Sequence, residues 1–265
     1  MKNKSLTLFL TLSIALIAIM VAGLGRTKIA IAAEEKKKVK VSGFASATDL
    51  IAAQKFFLAQ LDESLSSKPD YAEDTQERVK KNSLVLAVLT MHLGMHDTLN
   101  PSQSHAEEVL PLAIDLAAKV GEYDQAKATY DKLQKVVTAK TLSVGPGIKW
   151  EIIRGQGAIM KKTNELNSAI KRNLTPARFE KQLETLKYQT ATMAAIGQAT
   201  LLDTHEVKNP ADLPTYEKYA VEFRTAAAEL NRAVHATDQA AALKAFARMD
   251  ASCHTCHQKF DPPKK

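Results

Sequence analysis

The two cysteines of the chain lie near its C-terminal end, in the sequence Cys253-His254-Thr255-Cys256-His257. Residues three and four apart share one face of a helix, so both sulfurs and the His257 imidazole would face the same side. The spacing C-x-x-C-H is typical of covalent haem attachment. Cys253 and Cys256 would form thioethers with the haem, and His257 would be an axial ligand of the iron. The motif therefore predicts one covalently bound haem c.

A cysteine pair with this spacing has three other interpretations. A thioredoxin-like dithiol is expected in a βαβ context, and the sequence has no such pattern. A zinc site needs four ligands, and the chain contains no second C-x-x-C. A plain disulfide is the third interpretation. The histidine directly after the second cysteine, together with the export signal described next, favours haem.

Residues 1–33 are typical of an export signal. Two lysines precede an apolar run from Leu6 to Leu24, and small residues at Ala30-Ile31-Ala32-Ala33 offer a cleavage site. We expect cleavage there and a periplasmic or otherwise exported protein. The apolar run is also long enough for an uncleaved membrane anchor, which is the alternative. Residues 34–44 begin with a run of charges and are predicted to form a solvated tether.

The charge of the chain gives no indication of a nucleic-acid partner. It has 36 basic and 29 acidic residues, a formal net charge of +7. The first 33 residues hold four of the basic residues and no acidic one, so the rest of the chain carries only +3. No basic stripe or nucleic-acid-binding motif accompanies this small excess.

From about Ala45 to Phe260 the apolar residues recur at intervals of three and four, and strand-like alternation is absent. Breakers divide this region into eight predicted helices: Thr48–Ser66, Tyr71–His96, Ser104–Val120, Tyr123–Thr138, Ile148–Lys171, Pro176–Leu202, Thr215–His235 and Asp238–Phe260. Gly145-Pro146-Gly147 separates them into two sets of four. The sequence predicts an all-α protein of two tandem antiparallel four-helix bundles, residues 45–144 and 148–265, joined by a linker at 145–147.

An internal repeat supports this division. A shift of 114 positions places Ala106, Glu108, Ala113, Leu116, Val120 and Asp124-Gln125-Ala126 on Ala220, Glu222, Ala227, Leu230, Val234 and Asp238-Gln239-Ala240. The shared Asp-Gln-Ala corner favours duplication over chance matching of Ala-rich helices. If the last helix slips by two further residues, Val137, Lys140 and Thr141 stand where Cys253, Cys256 and His257 stand. The first bundle is therefore predicted to lack covalent haem.

A C-terminal C-x-x-C-H on the fourth helix of an antiparallel bundle resembles the cytochrome c prime family. The likeness covers about Ile148–Phe260 and extends to the stretch Trp150–Met160 at the start of that bundle. Phe260, three residues after His257, matches an aromatic residue usual in the family. The resemblance implies a four-helix bundle with one haem c, and homodimers paired through bundle faces.

The resemblance also implies roles for residues of the 150–160 stretch. Arg154 would pair with a haem propionate through its forked guanidinium, and a solvated surface position is the alternative. Gly155 and Gly157 would let backbone approach the haem. Gly157 and Ile159 would lie on its distal face, and Met160 is a candidate sixth iron ligand or an apolar lid.

The haem motif and the resemblance are compatible with three functions. The first is periplasmic electron transfer with redox partner proteins, in which the protein is not an enzyme. The alternative is a five-coordinate haem that binds or senses NO or CO, because distal polarity and access decide between these two functions. A weaker alternative is haem-dependent detoxification of NO or peroxide. The haem-free bundle is expected to act structurally, as a built-in partner for the haem bundle.

Two features outside the motif were interpreted as structural. His92 and His96 have the i, i+4 spacing of a metal-binding pair but no visible third ligand, so a surface patch is expected. Trp150 is expected to anchor the packing near the haem.

Overall fold

A computed structural model describes residues 39–139 and 148–260, and this part of the chain is all-α without strands. Its eight α-helices are α1 (Ala47–Ser64), α2 (Glu73–Gly94), α3 (Ala106–Ala118), α4 (Tyr123–Thr138), α5 (Gln156–Asn173), α6 (Leu183–Leu202), α7 (Leu213–His235) and α8 (Gln239–Phe260). Short 3-10 helices occur at Val41–Gly43, Pro101–Ser104, Glu180–Gln182 and Pro210–Asp212. The predicted export signal and the 145–147 linker lie outside the described residues.

Helices that are consecutive in each half pack against each other, and the two halves also share an interface. Within the halves, α2 packs on α1 and α3, α3 on α4, α6 on α5 and α7, and α7 on α8. Between the halves, α1 contacts α6, and α2 contacts both α5 and α6. The described residues from Lys40 onward belong to one compact unit.

The two central helices are α2 and α6, because each is buried on nearly all sides over its middle turns. A helix without a polar face is expected in such a position. The interface between the two halves also contains aromatic and polar contacts made by α1. Phe56 of α1 stacks on Tyr188 of α6 with ring centroids 5.1 Å apart. Asp49 of α1 accepts hydrogen bonds from His235 Nε2 (2.7 Å) and Asn231 Nδ2 (3.1 Å) of α7.

The pattern of buried positions in the first four helices recurs in the last four. In α1 and α5 the matched buried pairs are Leu50 and Ile159, Phe57 and Leu166, and Leu61 and Ile170; in α2 and α6 they are Val79 and Leu186, Asn82 and Gln189, and Ser83 and Thr190. In α3 and α7 they are Ala106 and Ala220, Val109 and Phe223, and Leu116 and Leu230; in α4 and α8 they are Ala126 and Ala242, Tyr130 and Phe246, and Leu133 and Met249. Each pair of helices therefore presents the same face to the core.

The two Asp-Gln-Ala corners, at 124–126 and 238–240, do not occupy equivalent positions in the structure. Asp238 caps α8, accepting a hydrogen bond from Ala241 N, whereas Asp124 lies inside the first turn of α4 and pairs with Lys68. Ala126 is buried but Ala240 is exposed. Helices α4 and α8 therefore align only when the shift is two residues longer than the 114 positions that match α3 to α7. This alignment places Val137 opposite Cys253.

Several helix ends differ from the sequence-based expectation. The fifth helix begins at Gln156 instead of Ile148, because Gly155 takes a left-handed backbone conformation (φ 108°) that a helix does not continue through. The sixth begins at Leu183, since residues 176–179 form turns before the Glu180–Gln182 3-10 helix. The third helix begins at Ala106 instead of Ser104, because Asn100 forms a capping box for a separate 3-10 helix at Pro101–Ser104.

The packed part of the chain begins slightly before the expected Ala45. Val41 is fully buried and Phe44 nearly so, which anchors the end of the predicted 34–44 tether in the core. In the described part of the chain, no helix is both long and apolar enough to cross a membrane.

Candidate haem-binding site

A cavity of about 660 Å³ lies between α5, α7 and α8. Its volume falls within the range of about 300–1,000 Å³ that is usual for small-molecule and cofactor sites. Helix α5 contributes one wall of the cavity, and α7 and α8 contribute the facing walls. The residues that line it include both cysteines and the final histidine of the C-x-x-C-H motif.

The wall contributed by α8 carries the three residues predicted to hold haem. Cys253, Cys256 and His257 all line the cavity, as their helical spacing predicted. Phe246 and Met249 of the same helix are buried in the core and fix its rotation. The thiols are therefore held at the cavity surface by packing one and two turns earlier.

The facing wall is contributed by α5. Gly157 and Met160 line the cavity, and a Cβ built on Gly157 would meet no atom within 4 Å. Two other predicted site residues are placed elsewhere: Ile159 is 1% exposed and packs in the core, and Arg154 is exposed, and neither is part of the lining. Helical rotation explains this, since Ile159 is about 100° away from Met160 on the helix.

Gly155 also serves a different purpose from the one expected. It lies outside the cavity lining, and a Cβ at this position would approach Leu84 Cδ1 of α2 to 2.6 Å. Its left-handed conformation starts α5, and its missing side chain permits contact between the two halves. Of these two glycines, only Gly157 brings the backbone to the cavity wall.

An aromatic wall on α7 was missed by the sequence analysis. Tyr216, Tyr219 and Phe223 line the cavity, and Phe260 of α8 packs edge-on against both tyrosines, with ring centroids 5.1 and 6.4 Å away. Tyr216 Oη donates a hydrogen bond to the Asp203 carbonyl oxygen (2.8 Å). Burial raises the pKa of Tyr216, so its hydroxyl stays protonated. The i, i+3, i+7 spacing of the three aromatic residues is the signal that could have identified this wall.

A polar cluster borders the cavity beside the first cysteine. Asn167 Nδ2 of α5 donates a hydrogen bond to Asp250 Oδ1 of α8 (2.7 Å), which links the two walls. His254 Nε2 lies 3.5 Å from Asp250 Oδ2, and its side chain is 75% exposed, as expected for the residue between the cysteines. Asn167 Oδ1 is buried without a hydrogen-bond partner, so it is an unused acceptor at the edge of the cavity.

Both thiols are neutral at physiological pH. Burial raises the pKa of Cys253 to about 12, with further contributions from the negative charges of Asp250 and ionised Cys256. Burial also raises the pKa of Cys256. The thiolate is the reactive form of cysteine, so these side chains are poor nucleophiles in the folded chain.

The residues of this cavity fit a covalently held haem. Two half-buried free thiols and an imidazole lie on one wall, and aromatic rings form another. The open space at Gly157 and the unused Asn167 Oδ1 acceptor indicate a site with room and polar capacity for a further group. Cys253 and Cys256 would hold the haem and His257 would bind its iron, which would supply one-electron or gas-binding chemistry.

His92 of α2 and His96, which follows the end of α2, do not form the expected surface patch. His92 is fully buried and His96 is 4% exposed. His92 Nδ1 donates to the Val88 carbonyl oxygen (2.7 Å), and His96 Nε2 lies 3.1 Å from that of Ala45. Both histidines are therefore core residues, and the described residues contain no group of three or more His, Cys, Asp or Glu side chains placed to hold a metal ion.

Trp150 anchors packing away from the predicted haem. Its indole packs edge-on against the His92 ring, with centroids 5.0 Å apart, and it is 8% exposed. The contact joins the segment before α5 to α2, so Trp150 stabilises the interface between the halves and is not part of the cavity lining.

Comparisons with known proteins find no matching family model, no similar curated protein and no similar solved structure.

Proposed function

We propose that this chain is an exported monohaem c-type cytochrome that transfers electrons between partner proteins. The observation that carries the proposal is a single cavity in which Cys253, Cys256 and His257 of α8 face Met160 of α5. A histidine and a methionine are the axial ligands typical of electron-carrying cytochromes c. Met160 is half-buried in the cavity wall and is the candidate for the second ligand.

Each wall of the cavity has a role under this proposal. The two cysteines fix the haem to α8, and the imidazole of His257 binds its iron. Tyr216, Tyr219 and the other aromatic side chains exclude water from one side, which lowers the local dielectric and tunes the reduction potential. The Asn167–Asp250 hydrogen bond keeps α5 at a fixed distance from α8.

Binding of a diatomic gas is the second candidate function. The specific observation in its favour is the open space at Gly157, one helical turn before Met160. A small ligand would occupy the position that Met160 takes in an electron carrier. The two functions therefore differ in whether the Met160 sulfur is bound to iron.

The architecture that accompanies this function is a duplicated pair of four-helix bundles similar to the cytochrome c prime family. The recurring buried pattern supports duplication. Val137 occupies the position of Cys253 in the first half, so we propose that this half carries no covalent haem. The shared interface through Phe56, Tyr188 and Asp49 supports a structural role for it, as a built-in partner that replaces a second subunit.

Mass spectrometry tests the covalent haem directly. The full chain should be produced in a host competent in cytochrome maturation, and the intact mass should exceed that of the processed polypeptide by one haem. The double variant Cys253→Ser, Cys256→Ser is the matched control and should show the bare polypeptide mass. A bare mass for the unmodified protein would end the proposal.

Optical spectra with and without CO then separate the two functions. An electron carrier should show a low-spin ferrous spectrum that CO does not change, and Met160→Ala should convert it to a high-spin form that binds CO. Asn164→Ala removes a side chain from the same wall one turn later and should leave the spectrum unchanged. A high-spin, CO-binding spectrum in the unmodified protein would instead support gas binding.

A further inference from the structure

The first half of the chain contains its own cavity, of about 560 Å³, between α1, α3 and the end of α4. The repeated burial pattern places this second cavity at the position that corresponds to the predicted haem site. Three pairs of equivalent lining residues show the correspondence: Ile51 and Met160, His105 and Tyr219, and Val137 and Cys253. The second cavity is therefore a feature of the repeated architecture and not an isolated packing gap.

The chemistry of the two cavities differs. Val137 replaces the first cysteine, so no covalent attachment is available at that position. Leu58 stands where Asn167 stands in the other half, and Val109 where Phe223 stands, so the walls are aliphatic in place of amide and aromatic. A ligand of this cavity would be held non-covalently by apolar contact.

The polar side chains of one cavity wall form hydrogen bonds with one another. Ser102 Oγ donates a hydrogen bond to Gln54 Oε1 (2.8 Å), and Gln54 Nε2 donates to Thr90 Oγ1 (3.5 Å). Gln54 is 6% exposed and Thr90 is fully buried. These bonds connect α1 to α2 and to the 3-10 helix before α3, so they hold the cavity open in a defined shape.

The lining of the second cavity carries a basic side chain and no acidic one. Lys55 lies in this lining together with the His105 imidazole, and no aspartate or glutamate is among the described residues that line it. Lys55 is exposed and makes no ion pair with any described residue. The predicted haem cavity differs here too, since Glu206 and Asp250 line it alongside Lys161. A lysine ammonium and an imidazole at the rim of an aliphatic interior are complementary to an apolar molecule that carries one negative group.

We propose that the second cavity binds an amphipathic carboxylate, with its hydrocarbon part against Leu58, Val109 and Val137 and its carboxylate at Lys55 and His105. The ammonium of Lys55 would pair with the carboxylate, and the His105 ring would donate a hydrogen bond to it. The site is independent of the function proposed for the other cavity, because no lining residue is shared.

The test uses the full-length, haem-loaded protein and dodecanoate below its micellar concentration, with binding measured by isothermal titration calorimetry. We expect one saturable site. Lys55→Gln should weaken binding about tenfold, the loss expected for one charge-assisted hydrogen bond. Lys132→Gln, an exposed lysine of α4 outside the cavity, is the matched control and should bind as the unmodified protein does.

A cavity-filling variant and two competing ligands make the test decisive. Val137→Phe enlarges a partly exposed side chain in the wall and should abolish dodecanoate binding without changing the haem spectrum. Dodecyltrimethylammonium should bind at least tenfold more weakly than dodecanoate. Equal binding of the two amphiphiles, binding that survives Val137→Phe, or stoichiometric uptake of added haemin that displaces dodecanoate would each overturn the proposal.

Discussion

His92 is a fully buried titratable side chain that lies between the rings of Phe44 and Trp150. Its Nε2 atom is buried without a hydrogen-bond partner. Burial lowers the pKa of His92 to about 4, whereas the unfolded value is about 6.5. The His92 imidazole is therefore neutral in the folded protein above about pH 4.

This histidine should make the fold sensitive to acid. Below about pH 6.5 His92 is protonated in the unfolded chain but stays neutral in the folded protein. The free energy of unfolding should therefore fall by up to about 3 kcal/mol as the pH drops towards 4. His92→Phe should flatten this part of the curve, and His254→Gln, at an exposed site, should not. Urea unfolding between pH 4 and 7 measures the slopes. Equal slopes in all three proteins would contradict the assignment.

The cysteine thiols permit a second prediction at the scale of single residues. Because burial raises the pKa of both, the haem-free folded protein should react with iodoacetamide at pH 8 more than about tenfold more slowly than the same chain in denaturant. The rate should keep rising above pH 9, beyond the point at which an ordinary thiol has ionised. Alkylation monitored by mass spectrometry gives both rates, and similar values would show that the thiols are not shielded.

Among the helices, α6 and α7 make an unusually close approach at Gly197. A Cβ at this position would lie 2.9 Å from Arg224 Cα and 2.8 Å from the Phe223 ring. The backbone atom cannot move aside without shifting α7 as a whole. Since Phe223 also lines the predicted haem cavity, this contact sets the position of the aromatic wall.

Replacing Gly197 by alanine should therefore destabilise the protein by about 1–3 kcal/mol, the usual cost of overpacking a core. Gly121→Ala is the control, because a Cβ there would meet no atom within 4 Å, and its effect should stay within about 0.5 kcal/mol. Chemical unfolding of the two variants provides the comparison. If Gly197→Ala were as stable as the control, the helices would be able to separate at no cost.

For the molecule as a whole, the interface between the halves decides whether either half can stand alone. The contacts between the halves include the Phe56–Tyr188 stack of α1 on α6 and the contact of Trp150, in the segment before α5, with His92 of α2. Lys81 of α2 and Lys162 of α5 both bind Glu165 of α5. Removing the first half would expose apolar and charged groups that are paired in the full chain.

A fragment of residues 146–265 should therefore be less stable than the full chain and should self-associate. Its exposed α5–α6 face would pair with a second copy, as the built-in-partner hypothesis requires. Thermal unfolding and size-exclusion chromatography with light scattering measure the two effects. A soluble monomer with an unchanged haem spectrum and melting temperature would count against a structural role for the first half.

The local part of the site could be predicted from the sequence because it depends on helical geometry alone. The C-x-x-C-H spacing puts Cys253, Cys256 and His257 on one side of any helix that contains them, whatever surrounds it. The all-α fold followed from apolar periodicity, and the two-residue slip between α4 and α8 followed from matching the buried stripes. These signals are read within one or two turns, so long-range contacts do not alter them.

Only the tertiary structure decided which residues face the predicted haem cavity and which face the core. A single glycine at 155, held left-handed against Leu84, starts α5 eight residues late and fixes the rotation that turns Met160 to the cavity and Ile159 away from it. The burial of His92 and His96 and the presence of the second cavity also depend on packing between helices that are far apart in the sequence. Periodicity specifies that a helix has an apolar face, but the neighbour that covers this face is chosen by packing between segments far apart in the chain.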